Sequence, residues 1–291
     1  MQRLVMSNSS QQFTLLTGAS GFIGQHLFSH LTDLNYSVIP FIRNQNKDLS
    51  LSDFGSVKQY CFERKISSIV HLASMVKNIK SPRDIDNEVS MAVTLLSALK
   101  PGGKFIYFST ADVYADTSDI LCEDSLLGPS NAYAKAKLKA EKALIKLATL
   151  KGVDLVILRP SLVYGSGVPA GMFLADLLQS LRDGVHFYYS SRPIVRDLIH
   201  VYDVASAVAE ILSQEKHVGG IYNLSTGIGN SLSDIVEMVK CISGCELSVQ
   251  RDVSKGVGAS HTIVLNPKKL QMAINWYPSV SIGMGLRDFL S

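Results

Sequence analysis

The chain has 291 residues, enough for one large core or two modest ones. Hydrophobic residues make up 46 % and charged residues 18 %, a balance that excludes a disordered or highly charged interaction protein. The net charge is only +3, and the basic residues form a single dense tract, at 135–151, which argues against nucleic acid as a partner.

In chain order, the polar residues 1–10 read as a loose tail, because 1–12 lack the apolar h-region of a signal peptide. Short apolar segments at 13–16, 37–42, 69–72, 104–109 and 154–158 predict parallel strands buried on both faces. Longer helical patterns at 21–34, 86–99 and 132–150 lie between them. None approaches the ~18 uninterrupted apolar residues of a membrane span, so no membrane partner is expected. The alternation predicts a Rossmann-type doubly wound α/β sheet. After Gly165 the rhythm loosens. We expect a nucleotide-binding domain over 11–165 with returning segments near 196–225. A smaller interleaved substrate domain would take 166–195 and 226–291, including a helix at 232–242. Cys61, Cys122, Cys241 and Cys245 form no CxxC pair and read as reduced thiols of a cytoplasmic protein.

The segment from Thr17 to Gly24, TGASGFIG, directly follows the first strand and opens the first helix. Glycines there allow a tight turn and close approach of a pyrophosphate to the free N–H groups of the helix. The second strand ends Phe41-Ile42-Arg43-Asn44, without the carboxylate that reads the ribose of NAD. Arg43 is either the partner of a 2′-phosphate, which favours NADP with NAD as the alternative, or a solvated strand-end arginine. Asp53 is a candidate for the adenine amine.

Tyr133 and Lys137 stand four apart on one helix, where the ammonium can help the phenol ionise below its usual ~10. The strand at 104–109 ends in Ser109 and Thr110, where α/β sheets place their sites. Thr110 is expected to bond the carbonyl that Tyr133 protonates, although a helix cap is the other role open to one of these hydroxyls. His26 and His30 lack the glutamate of HExxH, so no metal is expected.

These motifs continue with HLAS at 71–74, STADVY at 109–114, YAKAK at 133–137, LRPSLVYG at 158–165, RDLIHVYDVA at 196–205 and YNLSTG at 222–227. Their order resembles the extended short-chain dehydrogenase/reductases, the NAD(P)-dependent epimerase/dehydratase family. The resemblance implies that Gly18, Ser20, Gly21, Phe22, Ile23 and Gly24 bind cofactor, with Leu72, Ala73, Ser74, Pro160 and Val163 lining its cleft. It gives Thr110, Tyr133 and Lys137 to catalysis, the last two also to the cofactor. Asn87, opening the helix at 87–99, matches a family asparagine near the site, with an N-cap as its other reading. Met75, Thr110 and Arg196 fall on the substrate side. Arg196 matches an arginine that contacts a nucleotide-sugar phosphate, unless it pairs with Asp197 or another carboxylate.

Among the family's reactions, dehydration needs a carboxylate where this chain has Ala111. The segment 159–168 resembles the branch that reduces 4-keto sugars, although Leu162 stands where many nucleotide-sugar enzymes have asparagine. Arg251 or Lys255 would supply a second basic contact. The resemblance therefore implies an NADPH-dependent reductase acting on a keto carbon of a nucleotide-linked deoxysugar, as a homodimer packed through 86–99 and 132–150. Arg43 and the short segment after Gly165 favour it over an epimerase with retained NAD. A non-catalytic NADP sensor or scaffold is the third reading.

Overall fold

Strands buried on both faces need a helical layer on each side, and the chain supplies both. The computed structural model describes residues 12–42, 49–74, 81–117, 119–244, 248–254 and 262–290. Arg43, Met75, Cys245 and Lys255 lie outside them. In order, the first half comprises β1 (Phe13–Thr17), α1 (Phe22–Asp33), β2 (Val38–Phe41), α2 (Phe54–Glu63), β3 (Ile66–His71), α3 (Pro82–Ala98), β4 (Lys104–Phe108) and α4 (Ala132–Lys151). The second half comprises β5 (Asp154–Pro160), β6 (Leu162–Tyr164), α5 (Phe173–Asp183), β7 (Phe187–Ser190), β8 (Val195–His200), α6 (Val201–Ser213), β9 (Gly220–Leu224), β10 (Gly229–Ser231), α7 (Leu232–Ser243), β11 (Val249–Asp252), β12 (Thr262–Ile263), α8 (Lys268–Ile274) and α9 (Ile282–Leu290).

The main sheet runs β2-β1-β3-β4-β5-β9, with every pair parallel. Leu27 and Leu31 of α1 pack with Val204 and Val208 of α6 on one face, and Val57, Leu95 and Leu144 of α2, α3 and α4 on the other. This is the predicted doubly wound α/β class. The strand order reverses between β1 and β3, so a crevice opens beyond their carboxyl ends, where such sheets take ligands. Among the described residues no helix is long and apolar enough to cross a membrane.

Three local readings change. The α2 helix was absent from the pattern: Gly55 interrupts it, and Phe62 is exposed. The α3 helix starts at Pro82 rather than near 86, because Ser81 and Asp84 form a reciprocal capping box with proline in the first turn. Of the stretch 196–225, α6 and β9 join the nucleotide-side layers, whereas β8 joins a second sheet with β6, β10 and β12.

Two features position the site. The β1–α1 turn is drawn tight by a bond from Gly21 N–H to the Gly18 carbonyl at 3.0 Å. Gly18 holds φ +75°, and a Cβ there would lie 2.7 Å from Ala73 N. A Cβ on Gly24 would overlap the Gly18 carbonyl oxygen, whereas one on Gly21 would meet it at 3.3 Å.

The second feature is a buried ion pair. Arg159 on β5 donates from Nε to Glu141 Oε1 at 3.1 Å and from Nη2 to Oε2 at 2.6 Å, with both side chains 1 % exposed. Its Nη1 donates to the Glu123 carbonyl at 3.2 Å, and Ser109 donates its hydroxyl to Glu141. This network locks α4 against the ends of β4 and β5.

Removing one partner of a buried pair strands the other charge, so Arg159→Met should lower stability by roughly 3–5 kcal/mol in urea unfolding. Arg159→Met with Glu141→Leu should recover most of that loss. Gly24→Ala should cost about 1–3 kcal/mol by overpacking, and Gly21→Ala distinctly less, both measured as shifts in the unfolding midpoint.

Candidate active site

Beyond the switch point lies a cavity of about 500 Å³. The β1–α1 turn forms one wall, with Gly18, Gly21, Phe22, Ile23 and Gly24, and the segment after β3 adds Leu72 and Ser74. Thr110, Ala111 and Asp112 enter from the end of β4, Tyr133 and Lys137 from α4, and Pro160 and Val163 from the β5–β6 junction. Arg196 of β8 closes the far side with Leu162, Val168, Pro169, Met172 and Ile263.

The glycine wall suits a dinucleotide. Gly21 is the N-cap of α1 and offers no side-chain cap, and the first turn carries no acidic residue. Its leading N–H groups are therefore left for an anion, while the missing Cβ atoms at 18 and 24 let the turn close on itself and on the end of β3. Thr17, at the end of β1, bonds His71 Nδ1 at 2.7 Å and accepts from Ala73 N–H at 3.4 Å, which pins the two strand ends together. Ala73 acts here through its backbone, and Ser20 is exposed with its carbonyl held by Gln25. Asp53 caps α2, accepting from Gly55 N–H at 3.2 Å and from the Ser56 hydroxyl. Those bonds explain its position without an adenine.

On the catalytic side, Asn131 caps α4 by accepting from Ala134 N–H at 2.8 Å and reaches Asp112 Oδ2 at 3.4 Å. The helix start is thus tied to the end of β4. Thr110 Oγ1 accepts from Asp112 N–H at 3.2 Å, capping a single 3₁₀ turn over Ala111–Val113, and its own hydroxyl hydrogen is left for the cavity. Ser109 also lines the cavity, with its hydroxyl donated to Glu141. The Lys137 ammonium lies 5.7 Å from the centroid of the Tyr133 ring.

The expectation that Lys137 lowers the Tyr133 phenol is corrected. The phenol is raised well above the usual ~10, first by burial and then by the carboxylates of Glu88 and Asp112. Glu88 Oε1 lies 2.9 Å from Lys137 Nζ, so a carboxylate already offsets the ammonium. Asn87, by contrast, is exposed in α3 and is neither an N-cap nor part of the cavity. Glu88, one residue on, was missed. It belongs to the buried stripe Glu88, Ala92, Leu95 and Leu96, whose spacing within the expected helix at 86–99 was the signal for it.

Arg196 does not pair with Asp197. Successive side chains of a strand point to opposite faces. Asp197 is buried and accepts from Thr226 N–H at 3.1 Å, the Thr226 hydroxyl at 2.6 Å and Gly227 N–H at 2.9 Å. Arg196 bonds the Val195 carbonyl at 2.8 Å, and burial lowers its pKa against the opposing pull of Asp112 and Asp116. Arg251 lies on β11 against the Tyr189 hydroxyl, away from the cavity. His26 bonds the Ser166 carbonyl at 2.8 Å, and among the described residues no cluster of side chains suits a metal.

Comparison with known proteins agrees with this geometry. Residues 14–225 match the model of the NAD dependent epimerase/dehydratase family. The GDP-6-deoxy-D-mannose reductase of Pseudomonas aeruginosa is 25 % identical, with 96 % of each chain covered. The structure of RMD from Pseudomonas aeruginosa complexed with NADPH superposes with a TM-score of 0.83, at 23 % identity, covering 96 % of this chain and 97 % of that one. A UDP-glucose 4-epimerase from Thermus thermophilus, in complex with NAD, gives 0.81 at 26 % identity, again covering 96 % and 97 %. With the family model matching well over half of its length, the chain belongs to the NAD dependent epimerase/dehydratase family.

Proposed function

We propose that the protein is an NADPH-dependent reductase that reduces a keto carbon of a nucleotide-linked deoxysugar. The observation that carries this reading is convergence. Thr110, Tyr133 and Lys137 face the same cavity as the glycine turn, with Arg196 at its far side. The relative that is a GDP-6-deoxy-D-mannose reductase and the neighbour complexed with NADPH support it. NADPH is preferred to NAD because Arg43, and no carboxylate, follows the second strand in the sequence.

The bound nicotinamide would supply the hydride. The protein's own part is positioning and proton transfer. Tyr133 stands protonated and can donate its phenol proton to the carbonyl oxygen as that oxygen gains charge. The Thr110 hydroxyl bonds the same oxygen and fixes its orientation. Arg196 offers a planar guanidinium to a phosphate of the substrate. Ala111 lines the cavity without an acid, so elimination of water lacks a donor at that position.

An epimerase with retained NAD is the second reading. It is favoured by epimerase relatives such as that of Bacillus subtilis, 26 % identical over 90 % of this chain and 91 % of that one. Length does not separate the two readings, since this chain spans 97 % of the Thermus epimerase chain. A non-catalytic sensor is disfavoured by the intact Thr110, Tyr133 and Lys137 set. We include in the proposal a cytoplasmic homodimer through the outward faces of α3 and α4, where Asp86 and Lys139 pair at 2.6 Å and Ile145 and Leu150 are exposed.

The test is loss of NADPH absorbance with a panel of nucleotide 4-keto sugars. Tyr133→Phe should lower turnover by roughly 10²–10⁴-fold while NADPH affinity stays nearly unchanged. Normal turnover in that variant removes Tyr133 as the acid. Nicotinamide that copurifies with the protein, together with no net NADPH consumption, would select the epimerase instead.

A further inference from the structure

The Glu88–Lys137 pair is one of two buried ion pairs made by α4, and it is the one at the cavity. Glu88 is fully buried on the inward stripe of α3, and Lys137 is 1 % exposed on the sheet-facing side of α4. Their 2.9 Å contact bridges α3 and α4 at the cavity wall, which Lys137 itself lines. Two polar groups beside it are buried without a hydrogen-bond partner, His71 Nε2 and the Tyr107 hydroxyl. The Tyr107 ring lies 4.9 Å from the Lys137 ammonium and 5.8 Å from the His71 ring. A carboxylate in this apolar layer is costly, and Lys137 is its charge partner.

We propose that Glu88 is a positioning residue for the reaction: its buried carboxylate serves as counter-ion to Lys137, denies that role to the Tyr133 phenolate, and so keeps Tyr133 in the form that gives up a proton. This rests on the reading of Tyr133 as the proton donor. An ammonium beside a phenol ordinarily favours phenolate, because the two charges then compensate each other. With Glu88 in place, the ammonium is compensated before the phenol ionises. A second negative charge at Tyr133 would face Glu88 and also Asp112.

The surrounding groups agree with this assignment. From β3, His71 is pushed down to about 3, by burial first and then by Lys137, so it stays neutral. From β4, Tyr107 is raised by burial and by Glu88. From α2, packed on α3, the buried titratable group is Cys61, whose charged neighbour is Arg64 and not Glu88. Among the described residues Lys137 is a cation in contact with Glu88, and Tyr133 is the nearby group whose ionisation the cavity can use.

The experiment follows the tyrosine Cζ resonances of carbon-labelled protein against pH, with Tyr133 assigned by its absence in Tyr133→Phe. No substrate is needed. Wild-type Tyr133 should titrate above the ordinary ~10. In Glu88→Gln its midpoint should fall by roughly one to three pH units, as the phenolate becomes the counter-ion of Lys137. Glu88→Asp, which keeps the charge, should stay near wild type. The alkaline limb of the reductase rate should move with the midpoint. An unmoved midpoint in a folded Glu88→Gln protein, which is what a merely structural role predicts, overturns the proposal. If that variant does not fold, a wild-type midpoint below ~10 overturns it equally. Retained turnover in Tyr133→Phe would instead sink the reading of the reaction, and the titration would still decide what Glu88 does.

Discussion

The sheet-facing side of α4 carries Tyr133, Lys137 and Glu141 at successive turns, and two of the three are charges placed inside an apolar layer. Each must find a partner of opposite sign on a neighbouring element, and each does. Lys137 meets Glu88 of α3, and Glu141 meets Arg159 of β5. Because buried charges tolerate little misplacement, the two pairs fix the height of α4 against both neighbours at once. Tyr133 is carried into the cavity by that setting. Ser109, held by Glu141, and Asn131, reaching Asp112, bind the end of β4 to the same helix. Thr110 and Tyr133 then line the same cavity as a consequence of charges buried up to two turns away.

A similar economy joins the two sheets. On β8, neighbouring residues point to opposite faces, so Arg196 turns to the cavity and Asp197 to the interior. Asp197 also accepts from Leu265 N–H at 3.4 Å and from the Ser161 hydroxyl at 3.4 Å, in addition to its bonds at Thr226 and Gly227. One carboxylate therefore ties the ends of β5 and β9 to the second sheet and gives the far wall of the cavity a fixed distance from the glycine turn. The Tyr114 hydroxyl, donating to Asn223 at 2.7 Å, supports the same corner. A site built from two sheets needs such ties, because the apolar contacts of Leu162, Val168 and Met172 alone would not orient Arg196.

Much of this was legible in the sequence, since the signals that carry it are local. Apolar strands, a glycine turn between strand and helix, and a tyrosine four residues before a lysine are short-range patterns with one strong structural solution. What was hidden depends on distant partners or on helix ends. The capping role of Asp53 was not legible, because its bonds to Gly55 and Ser56 exist only once α2 forms. Asn87 looked important, and Glu88 did not, because a charged residue on the apolar stripe of α3 reads as solvated until its partner Lys137 on a distant helix is known. Of the carboxylates weighed for Arg196, Asp197 is excluded because adjacent residues of a strand do not face each other, whereas Asp112 and Asp116 do act on it.

The proposed reductase reading bears on the same buried charges. A reductase begins its chemical step with a protonated acid, whereas an enzyme that first oxidises an alcohol begins with a base. Burial, Glu88 and Asp112 all favour the neutral phenol at Tyr133, and the ammonium of Lys137 is compensated by Glu88. The glycine turn, the tyrosine and the lysine are compatible with either direction, so they cannot choose between them. On the role proposed for Glu88, the carboxylate at position 88 separates them, because it sets which form of Tyr133 a substrate meets on entering the cavity.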